Sequence, residues 1–288
     1  MGSGFRHRLA RLATHSVMRR AWTMLRGFPL VGGLAHRVSA ALLPQRVWYR
    51  IAAGPAVTFE MSLDVRYDFP YARGHEPWTI TWLTHYLRPG DTFLDVGAHA
   101  GSFSLLAARL VGPTGRVIAI EPDPQNLDLL RANIARNGCS AAVQIVAAAA
   151  AARDGTVRFA RASAASSRVQ GQLVGIEDAT AIEIPAVQLD AFAALKPRLI
   201  KVDVEGGEIN VLKGAPGLLS DGAALWTLER HTAATEAWVR SRLLDCRYTL
   251  KEVQPPPLGY SANLPRWIIA VPCDRPEPTE PVVGGARA

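Results

Sequence analysis

Two short stretches gather the residue types that bind ligands and move protons. The first is Asp95-Val96-Gly97-Ala98-His99-Ala100-Gly101, which follows an apolar run, with Glu121-Pro122-Asp123 about two dozen residues downstream. Glycines at 97 and 101 let the backbone bend sharply and approach a ligand, and a helix opening there presents unpaired N–H groups. An acid ending the next strand is placed to accept hydrogen bonds from both hydroxyls of a ribose. The second stretch is Leu199–Glu208, where apolar residues alternate with Lys201, Asp203 and Glu205 before Gly206-Gly207. Charges in a buried strand must pair or line a cleft. Thr227–His231 ends a further strand and brings Glu229 and His231 to the same rim.

The turn alone is compatible with a nucleotide-like ligand or with a bare α/β turn. His99 narrows the ligand. The dinucleotide fingerprint needs glycine at the third position of G-x-G-x-x-G, and His99 stands there, where its side chain would crowd a pyrophosphate. S-adenosylmethionine carries no phosphate and brings a carboxylate and an amine to this turn, so the cofactor expected is S-adenosyl-L-methionine. The cofactor-binding set is Asp95, Gly97, Ala98, His99, Gly101, Glu121, Pro122 and Asp123. His99 is either a ligand contact or only a turn residue.

Elements that position these residues follow from periodicity and punctuation. A helix over about 77–87 stops at Pro89-Gly90, and a strand follows over Thr92–Val96. The glycine turn leads into a helix over Ser102–Leu110, then a strand over Arg116–Ile120, a helix over Pro124–Arg136 and a strand near Val143–Ala147. Thr156–Arg161 and Ile182–Leu189 read as strands flanking a small-residue loop, whose part Ser163–Gly175 either covers the acceptor site or simply links them. Strand Leu199–Val204, a helix from about Glu208, strand Ala224–Glu229, helix Ala234–Leu244 and late strands near Tyr248–Val253 and Trp267–Ala270 complete the pattern. Such alternation predicts a doubly wound, Rossmann-like α/β sheet with helices on both faces.

Charge separates the amino-terminal part from the rest. Residues 1–50 hold nine arginines and no acid, so once these are subtracted from the net +7 the remaining chain carries −2. A near-neutral body lacks the basic stripe of a nucleic-acid-binding face. Residues 5–26 pattern as an amphipathic helix with an arginine stripe, which fits peripheral contact with an anionic membrane or docking on protein. Strand-like runs Val47–Ile51 and Val57–Val65 around Gly54-Pro55 predict a hairpin. No segment approaches the ~20 apolar residues of a membrane span. Three widely spaced cysteines, Cys139, Cys246 and Cys273, predict reduced thiols and a cytoplasmic protein, with the inner face of a membrane as the site of any peripheral contact. The organisation expected is a basic arm with amphipathic helix and hairpin over 1–75, a Rossmann-like domain over 76–272 and a disordered tail over 273–288.

With these residues in view, the chain resembles the FkbM-type S-adenosylmethionine-dependent methyltransferases from about Glu76 to His231. The likeness is carried by residues 88–138, by Val187–Asp190, by Leu199–Ala215 with its Ile-Lys-Val-Asp-Val-Glu-Gly run, and by Leu228–His231. The resemblance implies a class I methyltransferase with a seven-stranded, mostly parallel sheet, acting mostly as an O-methyltransferase on sugars and related hydroxylated metabolites. His99 stands where asparagine is common in that family and Gly207 where alanine is. The expected catalytic residues are Asp203, Glu205, Glu229 and His231, with Glu205 and Asp203 favoured as the base that takes the acceptor's proton. For Glu229 and His231 a salt-bridged strand end is the competing role, and for Lys201 a structural ion pair is expected. Mg²⁺ on the same carboxylates is conceivable, but no metal ligand set is expected. The competing functions are a non-catalytic partner of a membrane-associated biosynthetic complex and a nucleic-acid methyltransferase. The second is disfavoured because Asp203-Val204-Glu205-Gly206 supplies no aromatic for stacking on a flipped base.

Overall fold

The computed structural model describes residues 46–52, 58–64, 77–161, 171–173, 181–253 and 266–274. The amphipathic pattern of 5–26, the turn at Gly54-Pro55, most of the loop after Arg161 and the tail from 275 lie outside the described residues. The chain divides into two compact units, Met1–His75 and Glu76–Ala288. In the first, β1 (Arg46–Ala52) and β2 (Thr58–Asp64) form an antiparallel hairpin with Arg46 opposite Asp64 and Ala52 opposite Thr58. Ile51, Phe59 and Met61 are buried and Trp48 is exposed.

The second unit is built on a seven-stranded sheet. Its strands are β3 (Thr92–Val96), β4 (Arg116–Ile120), β5 (Val143–Val146), β10 (Leu199–Val202), β11 (Leu225–Arg230), β12 (Tyr248–Val253) and β13 (Arg266–Pro272). They lie in the order β12-β13-β11-β10-β3-β4-β5. The run from β11 to β5 is parallel, and β13 sits antiparallel between β11 and β12. Parallel strands covered on both faces are buried along their length, as β3, β4 and β10 are. This is the doubly wound Rossmann-like architecture expected from the alternation.

One face of the sheet carries Leu94, Val96, Ile118, Ile120, Ile200, Val202, Trp226 and Leu228, packed in a single core with Val211, Leu212, Leu218, Val239 and Leu243. Those five come from helices α4 (Glu208–Lys213), α5 (Pro216–Asp221) and α6 (Ala233–Asp245). The earlier helices are α1 (Pro77–Tyr86), α2 (Ser102–Val111) and α3 (Pro124–Arg136). Strand alternation then places Asp95, Lys201 and Thr227 on the opposite face, and register makes them direct neighbours: Asp95 lies beside Lys201, and Lys201 beside Thr227.

Three local differences from the sequence expectations have physical causes. The helix expected from Glu208 is two helices, because Pro216 must open a new one and Gly214 sits where a Cβ would lie 2.0 Å from the Ala151 carbonyl oxygen. Strand β10 stops at Val202, not Val204, so Asp203 and Glu205 stand just beyond it. Between β5 and β10, the two strands expected over Thr156–Arg161 and Ile182–Leu189 are present, but they pair with two further strands. There β6 (Ala149–Ala150), β7 (Gly155–Arg161), β8 (Gly171–Leu173) and β9 (Ile182–Val187) form a second sheet in the order β6-β9-β7-β8. Short Gly- or Ala-led strands such as β6 and β8 carry no alternation to reveal them. Among the described residues no helix is long and apolar enough to cross a membrane.

Candidate active site

The glycine turn is set by backbone geometry. After β3, the N–H groups of Gly97 and Ala98 both donate to the Ile120 carbonyl at 3.0 Å. Gly97 has φ +77°, and a Cβ there would lie 1.8 Å from the Asp203 carbonyl oxygen. The close approach that demands this glycine here is to the backbone after β10. Gly101 has φ +90°, a backbone conformation that favours glycine, and lies against Leu130 of α3. Gly101 caps α2 with no side-chain hydrogen bond, which leaves the first N–H groups of that helix open to an anion. His99 is left-handed at φ +51°, a conformation for which Asn and His are both enriched. A histidine at this position is therefore compatible with the turn.

Glu121 is the centre of the second strand end. It is buried, and its Oε2 accepts the His99 backbone N–H at 2.7 Å. Its Oε1 accepts the Asp123 N–H at 2.9 Å and the Asn126 Nδ2 at 3.2 Å. Burial pushes its carboxyl above the ordinary range, against the pull of His99 and these hydrogen bonds. A carboxylate offers about four acceptor positions, so Oε2 retains capacity for a hydroxyl. Pro122 intervenes, half-buried. Asp123 spends its Oδ1 on the Gln125 N–H at 2.8 Å, capping α3. Sequence reasoning missed Asn126, although its position just inside the helix opened by Pro124 was a usable signal.

Lys201 joins this turn to the rim beyond β10. It is 2% exposed, lies 3.4 Å from both Asp95 Oδ1 and Asp203 Oδ2, and donates to the Gly97 carbonyl at 3.0 Å. Its Nζ also sits 5.3 Å from the centroid of the Phe103 ring. Asp95 receives a further hydrogen bond from Ser104 Oγ at 2.6 Å, and burial still pushes its carboxyl up. The structural ion pair expected for Lys201 is present, in doubled form.

The rim brings the four expected catalytic residues together, three carboxylates around the imidazole of His231. His231 Nε2 lies 3.4 Å from Glu205 Oε1, 3.7 Å from Asp203 Oδ1 and 3.8 Å from Glu229 Oε1. Its Nδ1 lies 2.7 Å from Glu208 Oε1, which also accepts the Gly206 N–H at 3.0 Å. Glu208 is a site neighbour that sequence reasoning quoted but gave no role; only its place at the start of α4 hinted at one. Burial pulls His231 down, but contacts with Glu205 and Glu208 and the charges of Glu205 and Glu229 prevail and push it up to about 11. Asp203 resists its burial because Lys201 and His231 hold its carboxyl low. Glu205 is the most exposed of the four, at 23%, and takes a left-handed backbone at φ +50° without being glycine. Strain of this kind persists where the surroundings impose it and is concentrated at functional sites.

The family model for the methyltransferase FkbM domain matches residues 95–252, more than half of the chain and every one of these residues. The chain belongs to the FkbM methyltransferase family. It is 32% identical over 120 residues to the ribosomal protein L11 methyltransferase of Symbiobacterium thermophilum, a stretch covering 38% of this chain and 39% of that one. It is also 35% identical over 82 residues to a protein-L-isoaspartate O-methyltransferase of Methanopyrus kandleri, covering 27% of this chain and 36% of that one. This FkbM-family chain thus spans well under half the length of these curated relatives. The crystal structure of an FkbM methyltransferase from Methylobacillus flagellatus is similar at a TM-score of 0.47 and 20% identity, covering 62% of this chain and 43% of that one. The cofactor of this FkbM-family methyltransferase is S-adenosylmethionine. The chain's own geometry fits it: Glu121 keeps acceptor capacity for a ribose hydroxyl, and the open N-terminus of α2 suits a carboxylate.

Proposed function

We propose that the chain methylates a hydroxyl oxygen of a small hydroxylated metabolite, a sugar or a related glycoside or polyketide-like compound. The observation that carries this reading is the carboxylate cluster Asp203, Glu205 and Glu229 around His231, held beside the cofactor turn by Lys201. S-adenosylmethionine, when bound, supplies a methyl group on a sulfonium that is already activated for displacement. What the protein adds is orientation and a base, because a sugar hydroxyl is a poor nucleophile at neutral pH.

In this assignment Glu121 holds the ribose and the turn Asp95–Gly101 holds the amino-acid end, with Ala98, Pro122 and Asp123 shaping the pocket. Glu205 is the base. His231 is an imidazolium at neutral pH and cannot take a proton, and Asp203 is stabilised as its anion by two cations and is a weak base. Glu205 takes the hydroxyl proton as the oxygen attacks and returns it to solvent through its exposed side. Asp203 and His231 hold Glu205 and the acceptor in place, and Glu229 braces His231. A small acceptor is favoured over nucleic acid by the net charge of −2 left once the nine arginines of residues 1–50 are subtracted from +7.

The test is a panel of nucleotide sugars, glycosides and polyketide glycosides with methyl-labelled cofactor. Label in an ether stable to mild base is the expected product. Label only in polypeptide or RNA added to the same reactions would contradict the assignment. The basic arm is assigned peripheral contact with anionic lipid, and failure of full-length protein to co-sediment with phosphatidylserine vesicles at low salt would remove that part.

A further inference from the structure

Among the described residues, His231 Nε2 is buried and has no hydrogen-bond partner, in a side chain only 8% exposed. Instead it faces oxygens of Glu205, Asp203 and Glu229 at 3.4, 3.7 and 3.8 Å, too far for a good hydrogen bond to any of them. One ligand atom from each of Asp203, Glu205 and His231 lies within 4.8 Å of the others. Atoms that share a metal at roughly 2.1 Å stand 3–4 Å apart when the angles between them are about 90–130°, and the distances from Nε2 to Glu205 and Asp203 fall in that range.

The other ring nitrogen is placed as a metal-binding histidine requires. Nδ1 is oriented by Glu208 Oε1 at 2.7 Å, and Glu208 is fixed by the Gly206 N–H. A carboxylate on the far nitrogen sets the tautomer and turns Nε2 toward the metal. Charge argues the same way. Asp95, Asp203, Glu205, Glu208 and Glu229 are five acids in or beside the cluster, against Lys201 and His231. Burying such an excess of anionic groups is costly unless a cation or protons compensate it.

We propose that Asp203, Glu205 and His231 bind a divalent cation of the Mn²⁺ type, with Glu208 as the orienting carboxylate and Glu229 at the edge. One imidazole with carboxylates is a mixed set that suits a first-row ion better than Mg²⁺, which prefers oxygen alone. The cation takes the place of the Nε2 proton, so His231, an imidazolium in the metal-free protein, becomes a neutral ligand. This rests on the rim being the acceptor site; there the ion would coordinate the hydroxyl and lower its pKa, with the released proton passing to the second, uncoordinated oxygen of Glu205, which keeps its part as base.

The experiment is a titration of chelator-treated full-length protein with Mn²⁺, reading the loss of the free-ion electron paramagnetic resonance signal, with S-adenosylmethionine binding measured in parallel. One Mn²⁺ per chain is expected, bound at least 10-fold more tightly than Mg²⁺. His231→Ala should abolish binding and Glu208→Gln should weaken it 10- to 100-fold. If His231→Ala fails to fold, Glu205→Gln, at the most exposed ligand, should still weaken it at least 10-fold. Folded protein that binds S-adenosylmethionine but no Mn²⁺ overturns the cation site and leaves the methyltransferase assignment standing. Mn²⁺ binding unchanged by His231→Ala and Glu205→Gln overturns it equally. Mn²⁺ binding lost in those variants, in a protein that takes up no S-adenosylmethionine, supports the cation site while removing the proposed cofactor pocket.

Discussion

The turn after β3 and the rim beyond β10 are neighbours joined by one lysine, yet they are stabilised differently. At the turn, Glu121 is held by two backbone N–H groups and an amide, and Gly97 is required by close backbone approach. At the rim, side chains do the holding: one imidazole faces three carboxylates and contacts a fourth, and Glu205 accepts a left-handed backbone to be there. Backbone-built sites tolerate changes of side chain that keep the conformation, as His99 does. Side-chain-built sites change chemistry with every substitution. Affinity for the cofactor should therefore follow the turn, and turnover should follow the rim.

The sharpest way to separate the two is Glu205→Gln. It should lower kcat by about 10²- to 10⁴-fold, the usual contribution of a general base, while cofactor affinity stays within a few-fold. A matching loss of cofactor binding would show that the rim and turn do not divide the work. Lys201→Met should come next, since it strands Asp95 and Asp203 without their shared cation. Urea denaturation should show a loss of about 3–5 kcal/mol, and Asp95→Asn in the same chain should recover part of it. An undiminished midpoint would mean that Lys201 is not what ties the two regions together.

Glu121→Ala probes the turn. Loss of a charged hydrogen bond to a ribose hydroxyl is worth about 1.5–3 kcal/mol, so calorimetry should find the cofactor bound about 10- to 100-fold more weakly, with kcat at saturation little altered. The mildest effect is one of pH. His231 titrates near 6.5 when unfolded and at about 11 when folded, so its stabilising contribution is complete below about pH 6.5 and is lost as the pH rises through about 11. With chelator present, wild-type stability measured at pH 6 and at pH 9.5 should therefore fall more steeply than that of His231→Gln. Parallel slopes for the two proteins would place the imidazole outside the carboxylate cluster.

The turn was easier to read in the sequence than the rim. Gly97 and Gly101 are visible punctuation, and β3, β4 and α3 begin and end where periodicity and proline place them. Even so, the reason for Gly97 was not legible, because the Asp203 carbonyl it accommodates is more than a hundred positions away. At the rim, alternation brought Lys201, Asp203 and Glu205 to notice, but their partners depend on strand register. Only the pairing of β10 with β3 sets Lys201 against Asp95, and only the end of β11 brings His231 over Glu208. Of the second sheet, β7 and β9 were legible as strands, whereas β6 and β8 are too short for a period.

The division between turn and rim depends on the cofactor entering at the turn. Isothermal titration of folded wild-type and Glu205→Gln protein with S-adenosylmethionine tests this most directly. Both should bind one equivalent with affinities within a few-fold of each other. Absence of binding by wild-type protein shown by circular dichroism to be folded would contradict the account.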